Sequence, residues 1–168
     1  KSLSAIKGAD EAMAKAGLAE LAFVRGNYPE AEKLAGQVGG TAAAKAKATL
    51  VRAKVLEATG RRGDGIRLLE AQKGAPGVEG RKIRLLLGEL LLAKGKRNEA
   101  EPVLMTIIGD YNSGAITNTD AEGLALAGRA AHLLRVPKDA NTLFNESERA
   151  DKKRVDTLLA RAQLFLEK

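Results

Sequence analysis

Few residues in this chain could do chemistry. It has one histidine, His132, and no cysteine. A Cys–His pair is therefore impossible, and any Ser–His–Asp triad would have to run through His132. That residue shares a helical stripe with Arg129 and Leu133, where an exposed or groove-facing imidazole fits better than a general base. There is no GxxxxGK[ST] phosphate loop, no HExxH zinc pair and no calcium-loop spacing. Without cysteine, disulfides and thiolate metal sites are excluded. Asn145-Glu146-Ser147 matches a glycosylation sequon but falls in a segment that reads as helix, and it is taken as chance. The expectation is a non-catalytic protein with no cofactor and no metal.

Charge is the other chemical resource. The net charge is +7, and residues 45–84 account for all of it, with eleven Lys and Arg against Glu57, Asp64, Glu70 and Glu79. Such a stretch could meet an acidic protein, an anionic surface or nucleic acid, or simply form a solvated face. It contains no aromatic residue on which bases could stack, which argues against single-strand binding.

The elements that carry these residues follow from a repeat. A small residue recurs at Ala19, Ala53, Gly88, Gly128 and Ala162, at steps of 34, 35, 40 and 34 residues. Seven residues later come Gly26, Gly60 and Gly95, with Arg135 in the fourth place, and five further on Ala31, Gly65, Ala100 and Ala140. A period in this range denotes stacked helical hairpins. Aromatics are 3% of the chain and Trp is absent, so packing must come from Leu, Ile, Val and Ala. Ala is the strongest helix former, and the β-branched and aromatic runs of strands are missing. The chain reads as all-α. No stretch approaches the length and apolarity of a membrane span.

The expected repeats are about 11–40, 41–80, 81–118 and 119–152, with a final helix over 153–168, in a single repeat domain over 1–168. Residues 1–10 are polar and weakly patterned, fit to extend a preceding helix or fray. Gly26 suits a left-handed helix end, Asn27 with Glu30 makes a capping box, and Pro29 suits the first turn after it. Residues 74–80 and 109–120 read as loops, the second accounting for the 40-residue step. Such an insertion in a solenoid either contributes to binding or is neutral. Asn98 with Glu101 and Thr119 with Glu122 have capping spacing, and Pro102 fits only if its helix starts late. The final helix, about Arg154 to Glu167, has an apolar exterior, which favours a chain cut from a longer array over a cap. The chain opens on Lys1, which reads as a trimmed or processed N-terminus. A cysteine-free chain fits a cytoplasm or a periplasm alike.

These hairpins resemble tetratricopeptide repeats. The closest match is "GLAELAFVRGNYPEAEKLA" over residues 17–35, where Ala19, Gly26, Tyr28, Ala31 and Ala35 stand at the family's small, turn and aromatic positions. Gly88, Gly95, Ala100 and Leu104 match in the third unit, Gly128, Ala140 and Phe144 in the fourth, and Ala53, Gly60 and Gly65 in the second. The usual Trp is missing and the usual Pro between repeats is hard to find. The resemblance covers about residues 11–168. It implies an α-solenoid of stacked antiparallel helix pairs wound into a right-handed superhelix.

The same resemblance implies that the first helix of each pair lines a concave groove. The candidate groove residues are then Glu20 and Phe23, then Lys47, Leu50 and Lys54, then Lys82, Leu85 and Glu89, and last Glu122, Arg129 and His132. Some family members hold a C-terminal carboxylate with Lys, Asn and Arg on these helices. Here the Asn residues are absent and Glu20 and Glu89 intrude, which argues against that mode. The expected function is a protein-interaction scaffold, of bacterial character by its Ala- and Gly-rich composition, holding a peptide or protein segment that is acidic if the lysines act. The alternatives are nucleic-acid or anionic-surface binding through residues 45–84, and envelope assembly as a lipoprotein, since some family members help build pili and secretins.

Overall fold

The computed structural model describes residues 3–166, and side chains from residue 8 onward. Its helices are α1 (Leu3–Val24), α2 (Tyr28–Gly36), α3 (Ala42–Ala58), α4 (Arg62–Glu70), α5 (Gly77–Ala93), α6 (Arg97–Asn112), α7 (Ala121–Leu133), α8 (Pro137–Ala150) and α9 (Val155–Leu166). The described residues contain no strand. The chain divides into two compact units, Lys1–Leu86 and Leu87–Lys168. In the first, α1 packs on α2, both pack on α3, and α3 packs on α4. In the second, α6 packs on α7, α7 on α8, and α9 on both α7 and α8. Within each unit the helices pack mainly on neighbours in sequence, and the fold is all-α, built of helical hairpins.

Four hairpin turns share one chemistry. Gly26, Gly60 and Gly95 have φ of +76°, +78° and +74°, and Arg135 takes the same left-handed conformation at φ +64°. At each turn the next residue's N–H reaches back five residues: Asn27 to the Ala22 carbonyl, Arg61 to Leu56, Lys96 to Leu91 and Val136 to Ala131, at 2.7–3.0 Å. That closes the helix end with the six-to-one bond of a Schellman motif. The sequence spacing of small residue to turn therefore corresponds to one repeated backbone structure, and Arg135 holds it without glycine.

The small residues are where helices touch. Ala19 and Ala53 are fully buried. A Cβ on Gly88 would sit 2.5 Å from Leu104 Cδ2, and one on Gly128 2.6 Å from Phe144 Cδ1. Leu104 and Phe144 each lie 16 residues after their glycine, and both are fully buried. The first unit's core joins Ala19, Ala31, Ala35, Ala48, Val51 and Val55.

Several boundaries differ from the sequence reading. Residues within 1–10 belong to α1 from Leu3 onward, because a 22-residue helix propagates once its second half is packed. The loop expected over 74–80 ends early, with α5 starting at Gly77. The helix α6 runs on to Asn112, so the connection is short, and Ile116 within it is 3% exposed. An anchored apolar residue holds that segment down rather than leaving it open. Asn27 caps α2 as expected, accepting from the Glu30 N–H at 3.4 Å. Thr119 does not cap α7. Asp120 does, accepting from Gly123 N–H at 2.8 Å. Asn98 does not cap α6, which starts a residue earlier after Lys96. Pro102 lies inside α6, and its missing N–H leaves the Asn98 carbonyl without a helical donor.

Candidate protein-interaction surface

The charged candidates recur at two register positions. Glu20, Lys54, Glu89 and Arg129 each follow the small residue of a first helix, and Lys47, Lys82 and Glu122 lie seven residues before Lys54, Glu89 and Arg129. Seven residues are two helical turns, so both positions fall on one face.

In the first unit the structure brings Glu20 and Lys47 together. Lys47 Nζ lies 2.9 Å from Glu20 Oε2, joining α1 to α3. The Glu20 carboxyl is held below its ordinary value, chiefly by the Lys47 hydrogen bond, and further by the charges of Lys47, Lys54 and Lys82, against the upward push of burial. Lys82 also lies 3.0 Å from Glu79. Lys47 thus bonds the Glu20 carboxylate directly, while Lys54 and Lys82 act on it through their charge alone. Phe23 is half-buried, packed on the core cluster and against Tyr28 with ring centroids 5.7 Å apart. Leu50 and Leu85 are 8% and 3% exposed, so they contribute packing beneath this face rather than open surface.

In the second unit Arg129 pairs with Glu89, joining α7 to α5. Glu122 lies 3.9 Å from Arg154, which also pairs with Asp156. That pairing raises the Arg154 pKa and keeps the guanidinium charged. His132 lines a shallow cleft of about 460 Å³ with Leu92, Gly95, Arg97, Leu133 and Arg135. None of those lining neighbours carries a hydroxyl. Among the described residues no group of three or more His, Asp or Glu could hold a metal ion, and no helix is long and apolar enough to cross a membrane.

Sequence reasoning took Glu20 and Glu89 as ligand-facing acids. The structure pairs each with a cation of the next repeat's first helix. It missed Glu79, whose i, i+3 spacing to Lys82 was a usable signal, and Arg154, for which nothing in the spacing pointed to Glu122. The sequon serine is spent on structure: Ser147 is fully buried and donates to the Ala121 carbonyl at 2.7 Å.

No protein-family model matches the chain, and no curated protein matches it either. Among solved structures it is similar to that of a point mutant of MamA, at 18% identity and a TM-score of 0.47, over 98% of this chain and 88% of that one. That degree of likeness carries nothing about partners or activity.

Proposed function

We propose that the chain is a non-catalytic protein-interaction scaffold that takes an acidic peptide segment on the first-helix face of its N-terminal unit. The observation that carries this reading is the Lys47–Glu20 pair at 2.9 Å, on a carboxylate that the charges of Lys54 and Lys82 also favour. The Glu20 side chain is 45% exposed and Lys47 29%. An exposed pair of this kind is worth only about 0–1 kcal/mol, so a partner's carboxylate can displace Glu20 at little cost. Glu20 then acts as an internal stand-in for the ligand.

The charges of the 45–84 stretch support a peptide over a nucleic acid. Arg61 and Arg67 are both engaged by Asp64, Arg62 by Glu57, and Lys82 by Glu79. A stripe so interleaved with acids is a poor track for phosphates, which demand many uncompensated cations. The test is fluorescence anisotropy with a labelled decapeptide alternating Glu and Leu. The expected result is saturable binding that weakens about tenfold in the Lys47→Glu/Lys54→Glu variant, since each reversed charge turns attraction into repulsion. Equal affinity of the two proteins removes the reading. A gel shift with duplex DNA that is strong and steeply salt-dependent would replace it with nucleic-acid binding.

A further inference from the structure

We infer that the second unit carries a binding cleft for a small organic ammonium ion, a primary amine on a compact apolar body. The cleft is built from α6, the end of α7 and the start of α8. The lysine face belongs to the first unit, and this inference does not rest on it.

The hollow has a volume of about 300 Å³, at the lower end of the range for small-molecule sites and too small for a helix. Six of its ten lining residues are apolar, so most of the guest must be apolar too. Ala131 and Leu143 are its buried members. Ile108 and Leu134 are half-buried. Met105 and Val136 are 54% and 40% exposed. A guest that covers these two takes apolar surface out of water, which favours binding.

The polar groups decide the rest of the guest. The lining holds two hydroxyls, Tyr111 and Thr142, with the Asp139 carboxylate and the Asn112 amide. The Tyr111 hydroxyl donates to the Glu146 carboxylate at 3.1 Å. That bond raises the Tyr111 pKa, so the phenol keeps its proton. The Thr142 hydroxyl donates to the Lys138 carbonyl at 3.1 Å. A hydroxyl has one hydrogen, so both oxygens have only lone pairs to offer, and a carboxylate such as Asp139 accepts without donating. No Lys, Arg or His lines the cleft, and no ion pair engages Asp139 among the described residues. The cations nearest it in sequence line other hollows, Lys138 beside Leu164 and Arg135 beside His132. Acceptors without matching donors, one of them charged, call for a guest with several N–H donors and a positive charge. An ammonium group supplies both. An anion would find only Asn112 to donate to it.

The chain carries its own reporters. It has two methionines, Met13 in the first unit and Met105 in the second, and Met105 lines the cleft. The full 168-residue chain, labelled with carbon-13 at the methionine methyls, is titrated with phenethylamine near pH 7 and followed by NMR. The Met105 methyl signal should shift saturably while Met13 stays in place. Phenethyl alcohol, the same body with a neutral hydroxyl, should bind at least threefold more weakly, and phenylacetate more weakly still. Asp139→Asn should lower the amine's affinity about threefold to fivefold, the size expected of an exposed charge pair, and leave the alcohol's unchanged. Thr142→Lys places the chain's own ammonium one helical turn from Asp139 and should weaken the amine at least tenfold. Asp139 and Thr142 are both exposed, and unchanged circular-dichroism melts verify folding. The inference is overturned if Met105 does not respond, if amine and alcohol bind the parent chain equally, or if neither substitution alters the amine's affinity. A decapeptide alternating Lys and Leu that binds more tightly than the amine also overturns it, since the cleft would then be part of a peptide track.

Discussion

A Cβ placed on Gly128 would stand 2.6 Å from the ring of Phe144, 16 residues on and fully buried. Helix α7 can approach α8 this closely only because that side chain is missing. Gly128→Ala is expected to cost about 1–3 kcal/mol, the usual penalty of overpacking a filled core. Gly109→Ala is the control. Gly109 lies in α6 with open space around its Cβ position, and the substitution should gain about 0.5–1 kcal/mol by helix propensity. Urea denaturation of the two variants should move the midpoint in opposite directions.

The left-handed turns give a second contrast. Gly95 has φ +74° with nothing near its Cβ position, so Gly95→Ala meets backbone strain alone, about 1–2 kcal/mol. Arg135 already bears such strain at φ +64°. Arg135→Gly relieves it but returns about 0.4–1 kcal/mol to the unfolded chain's freedom, and the net gain should be smaller than the Gly95→Ala loss. Thermal melts of the two variants test the ordering.

The buried hydroxyls Ser147 and Thr157 lie 3.0 Å apart. The Ser147 hydrogen is committed to the Ala121 carbonyl, so Thr157 donates to Ser147. Ser147→Ala therefore strands two partners and should cost about 1–3 kcal/mol. Thr157→Val removes only one bond and leaves Ser147 its carbonyl. The double variant should lose less than the sum of the singles, and a double-mutant cycle in urea measures the difference.

For Glu20 and Lys47 the pH dependence has a definite sign. The Glu20 pKa is lowered in the folded chain from its ordinary 4.5, chiefly by the Lys47 hydrogen bond. Its contribution is therefore present above that ordinary value and lost as pH falls through the folded value. Because both side chains are partly exposed, Glu20→Gln should cost less than about 1 kcal/mol near pH 7. The variant and the parent should converge once the pH is below the folded pKa. Denaturation curves across that window provide the check. A difference that persists in acid would mean the pair acts through packing instead.

How much could be read beforehand differs by residue. Gly26, Gly60 and Gly95 were legible because few conformations other than the left-handed turn reward glycine at a fixed distance from a small residue. Arg135 was legible only through the period, since Arg has no preference for that conformation. Capping was legible at Asn27, where side chain and turn agree, and misread at Thr119, where Asp120 one residue on offers an equally good acceptor. Leu50 and Leu85 were assigned to the groove by register, but helix register does not say how far a neighbouring helix wraps. Their burial came with the structure.

By itself the chain determined its helical class, the place of each hairpin turn and the positions of close helix contact. Those depend on local backbone preference and on side-chain volume at a regular spacing, both written in the residues. Only the tertiary structure decided that Glu20 meets Lys47, that Glu89 meets Arg129, and that α9 keeps an apolar stripe in water. Such pairings depend on the rotation and offset between packed helices. Those are set by the summed fit of many side chains, and no single spacing encodes them.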